Sequence, residues 1–168
     1  MSLKNIKLLV LDVDGVLTDG RIIMDEQGRE LMAFNIHDGS GIKYLIRNAM
    51  QVVLLSGRSA GAVRFRARAL GIQDVYQGIK NKLSVWDEIL KKYKVKPAQV
   101  CYVGDDLLDI PLMRRAGYPV AVRNARPEVK KCARYVTRVP GGHGAVREVI
   151  EKILKAQNKW SAVLKKYL

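Results

Sequence analysis

The stretch LLVLDVDGVLTDG (residues 8–20) decides how this chain reads. Leu8, Leu9, Val10 and Leu11 form an apolar run that runs straight into Asp12, Val13, Asp14 and Gly15. A run that apolar belongs in a core, and burying an ionised carboxylate there is costly unless it is paired or bound to a metal. Side chains alternate along an extended strand, so Asp12 and Asp14 point to the same side at its carboxyl end.

Further along, Val52–Leu55, Val100–Val103 and Pro119–Val122 repeat the pattern. They are short, apolar and bounded by glycine or polar residues, as are strands covered on both faces of a parallel sheet. Helical spacing fills the gaps: Ile42, Leu45, Ile46 and Ala49 share a face, as do Leu83, Trp86, Ile89 and Leu90. The glycines of LGI (70–72) and AGY (116–118) read as helix stops, and Pro127 as a helix start. Tyr135–Thr137 reads as a last short strand, followed by a helix from about 144 to 157 with the tail to Leu168 as its continuation. GRIIMDEQGRELMAFNI (20–36) breaks the alternation and reads as a hairpin around the turn DEQG. With no repeat, linker or long insertion, residues 1–168 suit one α/β domain built on a doubly wound, mainly parallel sheet. It would carry a hairpin flap at about 20–36, a C-terminal helix and tail at about 144–168, and no cap domain.

Thirty Lys and Arg against 16 Asp and Glu give a net charge of +14. Six of the acidic residues (Asp12, Asp14, Asp19, Asp105, Asp106, Asp109) fall in two short stretches, an acidic centre in a basic body that draws anions. Lys91, Lys92, Lys94 and Lys96 read as a solvated face. No aromatic-interleaved basic motif or recognition helix points to nucleic acid. The apolar runs fall short of the roughly 20 residues of a membrane span. MSLKNIKLLV has no separate apolar signal core, and Cys101 and Cys132 have no ligand or redox spacing. The expectation is a cytoplasmic chain with neither a membrane nor a nucleic-acid partner.

Ligands of open α/β sheets bind beyond the carboxyl ends of the strands. Three such ends here are Asp12-Val13-Asp14, Ser56-Gly57-Arg58 and Gly104-Asp105-Asp106. Carboxylates meeting there repel unless a cation sits among them, and an oxygen-only set with room for substrate suits Mg²⁺. A carboxylate nucleophile, with a phosphate completing the metal's shell, makes phosphoryl transfer through an aspartyl phosphate the natural chemistry. A lone D-x-D is common; D-x-D-G-x-x-T after a buried strand, with S-G-R and G-D-D-x-x-D after later strands, is specific.

Together DVDGVLTDG, LLSGR, NK (81–82) and VGDDLLD resemble, in order, the four motifs of the haloacid dehalogenase superfamily. FNIHDGSGI (34–42), YQGIKNK (76–82), YVTRVPGGHGAVREV (135–149) and the hairpin resemble its small capless phosphatases of 3-deoxy-D-manno-octulosonate 8-phosphate, over roughly residues 6 to 157. The resemblance implies Asp12 as nucleophile, Asp14 as general acid and base, Ser56 on a phosphoryl oxygen and Lys82 neutralising it. It implies a Mg²⁺ site from Asp12, Asp105 and the backbone carbonyl of Asp14, and a phosphorylated sugar acid held by Asp14, Asn35, Ile36, His37, Asp38, Gly39, Lys43, Arg58, Arg66 and Lys82. Asp106 and Asp109 either support the metal ligands or cap the next helix. It also implies a homotetramer in which the hairpin and a neighbour's C-terminal tail close the site, on a step toward lipopolysaccharide. His37 departs from the family pattern, where arginine is frequent, and His143 departs similarly. The alternative on the same machinery is a phosphatase of another sugar-acid phosphate, for instance a nine-carbon one, and two other classes fit less well. A receiver-type signalling domain would place its phosphorylated aspartate where this chain has Ser56, and a non-catalytic binding module has no use for four intact motifs.

Overall fold

The computed structural model describes residues 2–168. Strand β1 (Leu8–Leu11) is followed by the hairpin strands β2 (Ile23–Met24) and β3 (Glu30–Leu31), helix α1 (Ile36–Arg47) and β4 (Gln51–Leu55). Then come α2 (Gly61–Leu70), β5 (Asp74–Tyr76), α3 (Trp86–Tyr93), β6 (Val100–Gly104), α4 (Ile110–Met113) and β7 (Tyr118–Ala121). The chain ends with α5 (Pro127–Cys132), β8 (Tyr135–Val136), α6 (Ala145–Ala156) and α7 (Trp160–Leu164).

Six strands form one sheet in the order β5-β4-β1-β6-β7-β8, every neighbouring pair parallel. All four residues of β1 are fully buried, as the apolar run required. The chain leaves β1 toward β4 and β5, then crosses back to β6 on its other flank. Right-handed crossovers therefore put α1 and α2 on one face, where α6 packs on α1, and α4 and α5 together on the other. The reversal occurs beside β1, so the crevice at a doubly wound sheet's switch point opens above Asp12.

Four sequence expectations change in detail. The hairpin forms, with Ile23 opposite Leu31 and Met24 opposite Glu30, but its strands are two residues each. The edge strand β5 was not anticipated, because its three half-buried residues make no apolar run. Gly71 ends α2 in the left-handed region at φ 81°, as read. Gly117 does not stop a helix that way: it is a close-approach glycine, since a Cβ there would overlap the carbonyl oxygen of Ala98. The tail is not a continuation of α6 either. Asn158, at φ 56°, breaks the helix, and α7 folds back so that Trp160 and Tyr167 meet the ring of Tyr44 on α1. Among the described residues no helix is long and apolar enough to cross a membrane.

Candidate active site

Strand β1 delivers Asp12 to the sheet edge with its N–H still bonded to Val103 O at 3.0 Å, so the carboxylate inherits the rigidity of the sheet. The chain then turns sharply: Val13 O accepts from Leu17 N at 2.9 Å and Thr18 N at 3.1 Å, and Thr18 Oγ1 accepts from Gly15 N at 3.2 Å. Gly15 sits at φ 80°, and a Cβ there would overlap the carboxylate of Asp105. That glycine lets a loop from β1 and a loop from β6 touch.

Lys82 is the cation of the cluster. Its Nζ lies 2.8 Å from Asp12 Oδ1 and 2.7 Å from Asp109 Oδ1, and its side chain is 1% exposed. Burial alone would lower its pKa, but the facing charges of Asp12 and Asp109 raise it, so the ammonium is firmly charged. One carboxylate oxygen from each of Asp12, Asp105 and Asp109 falls within 4.8 Å of the others. Burial, then repulsion from Asp109, pushes Asp12 well above the usual carboxylate range and Asp105 up to about 7. Asp105 Oδ1 is buried and bonded to nothing among the described residues. An orphaned carboxylate oxygen, in a hard all-oxygen set whose charges repel, fits a Mg²⁺ ion.

The second aspartate of the motif is held differently. Asp14 Oδ2 accepts from Ser56 Oγ at 3.1 Å, and Oδ1 lies 3.5 Å from the Arg58 guanidinium. Ser56 is buried, and its Oγ also accepts from Arg58 N at 3.1 Å. Arg58 reaches on to Glu30 Oε2 at 2.6 Å, tying the hairpin to the strand ends. Asp12, Asp14, Arg58, Lys82 and Asp105 all line one cleft of about 530 Å³. Lys80 and Leu108 line it too and escaped the sequence reading; only the position of Lys80, two residues before Lys82, hinted at it.

Asp106 and Asp109 have separate duties. Asp106 Oδ1 caps the turn after β6, accepting from Leu107 N at 2.8 Å. Asp109 is fully buried, and its side chain does not cap α4 but turns back to the loop after β6. Its Oδ2 takes the amides of Asp105 (2.8 Å) and Asp106 (3.2 Å), while Oδ1 holds Lys82.

The remaining sugar-binding candidates, apart from Lys43 two turns further along α1, gather at that helix's N-terminus, and none of them lines the cleft. Asn35 caps the helix by accepting from His37 N at 2.8 Å, and its amide donates to Gly142 O at 3.2 Å. Arg66, from α2, donates to Asn35 O at 3.2 Å beside Gly39 and lies over the Phe34 ring at 5.8 Å. Ile36 is 74% exposed, and His37 and Lys43 are exposed as well. Asp38 turns away: it is buried, with Oδ1 accepting from Arg147 N at 2.8 Å in the first turn of α6. Within one chain, the structure thus divides the candidate residues into two groups.

A loop anticipated only as a motif joins them. Gly142 N donates to Val16 O at 3.0 Å, and Gly141 N donates to Asn124 Oδ1 at 2.8 Å. A Cβ on Gly141 would overlap Gly15 O, so Pro140–His143 lies flat against the catalytic loop while Gly142 O holds Asn35.

Comparison with known proteins matches this geometry. The profile of the haloacid dehalogenase-like hydrolases matches residues 71–150. The 3-deoxy-D-manno-octulosonate 8-phosphate phosphatase of Yersinia pestis is 50% identical over 155 residues, 92% of this chain and 83% of that protein. The enzyme of that name from Escherichia coli K12 is 49% identical over 156 residues, 93% of this chain and 83% of its own length. The crystal structure of the Moraxella catarrhalis phosphatase, in complex with a magnesium ion, a phosphate ion and a KDO molecule, superposes with a TM-score of 0.96 at 39% identity. It covers 99% of this chain and 95% of that one.

Proposed function

We infer the function from one premise: this chain belongs to the 3-deoxy-D-manno-octulosonate 8-phosphate phosphatase family of haloacid dehalogenase-like hydrolases. It is a Mg²⁺-dependent phosphatase that hydrolyses this sugar-acid phosphate to the free sugar acid and phosphate. The observation that carries the reading is Asp12, buried at the cleft floor, clamped by Lys82 and clustered with Asp105.

In the proposed reaction an Asp12 oxygen attacks phosphorus, and the bond from phosphorus to the sugar's 8-oxygen breaks. Asp14 gives that oxygen a proton, then takes one from the water that attacks the aspartyl phosphate, releasing phosphate and restoring Asp12. Ser56 Oγ and Arg58, both bonded to Asp14, hold its carboxyl toward the cleft; Arg58 has further N–H donors for the phosphoryl oxygens, and the one Ser56 proton would turn from Asp14 to a phosphoryl oxygen when substrate binds. Lys82 offsets the charge of nucleophile and phosphoryl group at a site where little water screens it. Asp12, Asp105 and the Asp14 carbonyl would hold Mg²⁺, which when bound supplies a Lewis acid against the phosphoryl oxygens.

The group at α1 suits the sugar acid's carboxylate and hydroxyls: Asn35, Ile36, His37, Gly39 and Lys43, with Arg66 as its cation, while Asp38, buried against α6, fixes the helix that presents them. Its separation from the cleft, together with exposed Ile22, Ile23, Met24 and Leu31 on the hairpin, favours a homotetramer in which copies complete one another's sites. The folded tail favours the hairpin over a free arm as the closing element. We read residues 1–168 as one catalytic unit working in the cytoplasm on the way to lipopolysaccharide, with its cysteines free.

Phosphate release over a panel of phosphorylated sugars and sugar acids, with Mg²⁺ or with EDTA, tests the reading. Turnover of the octulosonate phosphate is expected to exceed that of hexose phosphates by orders of magnitude and to vanish in EDTA. Equal turnover of hexose phosphates, or full activity in EDTA, overturns it. Lys80 adds a finer expectation, since it faces the cleft and pairs with no acidic group among the described residues. Lys80→Ala is expected to raise KM about 3- to 10-fold while kcat stays within about twofold, the worth of one solvated charge-assisted contact.

A further inference from the structure

Tyr102 sits in the middle of β6 with no exposed surface, and its hydroxyl donates to Asp109 Oδ1 at 2.6 Å. The same oxygen accepts from Lys82 Nζ at 2.7 Å, while both cleft-side amides occupy Oδ2. Asp109 therefore has four donors, and only one of them, Lys82, also serves the nucleophile. Two buried carboxylates compete for that ammonium.

We propose that Tyr102 is a positioning residue for phosphoryl transfer: its hydroxyl shares the load of Asp109's charge, so that Lys82 stays centred between Asp109 and Asp12. A neutral donor suits this task, because a second cation would also pull on Asp12. Without the hydroxyl, Asp109 draws Lys82 toward itself and away from the group it must stabilise. Lys82 links Tyr102 to the nucleophile, and the Asp105 amide on Asp109 Oδ2 links it to the proposed metal ligand, while the α1 group lies outside this network. The inference rests on Asp12 and Lys82 having the roles proposed above.

Tyr102→Phe keeps the ring and removes only the donor. Its kcat is expected to fall about tenfold with KM within about twofold, since one hydrogen bond to a charged group is lost and sugar contacts are untouched. The control is Cys101→Ala, on the same buried strand with its side chain toward the opposite face. It should lower Tm while kcat stays within about twofold. A second readout needs no turnover. Fluoroberyllate with Mg²⁺, a mimic of the aspartyl phosphate, should raise Tm of the parent chain, and that rise should shrink in Tyr102→Phe while the rise from Mg²⁺ alone persists. A third uses the parent chain alone: the downfield Tyr102 hydroxyl proton in its NMR spectrum should shift when fluoroberyllate loads Asp12. Parent-like kcat and fluoroberyllate response in Tyr102→Phe, an equal kcat loss in Cys101→Ala, or an unmoved hydroxyl proton overturns the role of Tyr102 and leaves the phosphatase reading intact. A parent chain with no Mg²⁺-dependent turnover overturns both.

Discussion

Replacing Asp12 by asparagine is expected to lower phosphate release by at least about 10⁴-fold while the chain stays folded. The amide is close in shape to the carboxylate, but its oxygen is a poor nucleophile, and removing the group that becomes covalently bonded removes the pathway. The fold should persist because β1 is held by its backbone ladder and four buried side chains, none of which involves the carboxylate. Lys82 keeps its second partner, Asp109, at 2.7 Å, so no buried cation is left alone. Circular dichroism and a Tm within about 5 °C of the parent would verify this, a shift of order 1–2 kcal/mol for a chain this long. Measurable turnover in a preparation free of the parent enzyme would remove Asp12 from the mechanism.

Gly141→Ala is expected to be the most damaging change outside the acidic cluster. Its added methyl would occupy the position of Gly15 O, which is backbone and cannot rotate aside. Either Pro140–His143 lifts off or the catalytic loop moves. Overpacking of this kind costs about 3 kcal/mol, which lowers Tm by about 6–12 °C. A displacement of about 1 Å in a catalytic loop commonly costs about 10²-fold in rate, so kcat should fall at least that far even where the variant remains folded. Gly61→Ala is the contrast: no atom lies within 4 Å of its Cβ, and the position opens α2. That change should leave kcat alone and hold or raise Tm. Equal behaviour of the two variants would show that the Gly141 contact is unimportant.

Much of the site was legible before any coordinates. Buried runs ending in carboxylates announced β1 and β6, and Ser56 and Arg58 followed β4 for the same reason. Lys82 was different: it stands among many lysines, and only the resemblance singled it out, whereas its burial between two aspartates is plain in the fold. Asp109 could be placed near the metal ligands, but not as the group that takes Lys82, Tyr102 and two amides at once.

The residues by themselves determined the parallel sheet, five of its six strands and the gathering of Asp12, Asp14, Ser56 and Asp105 at one edge. Apolar period and strand polarity are local properties, and together they place each run's last side chains. Tertiary structure alone decided that Asp38 serves α6, that the tail folds onto Tyr44, that Gly141 backs Gly15 and that Tyr102 meets Asp109. Apart from the Tyr102–Asp109 bond, these contacts join segments at least 109 residues apart, the separation of Asp38 and Arg147. Periodicity reports how deeply a side chain is buried, but its partner is chosen by the close packing of whole elements.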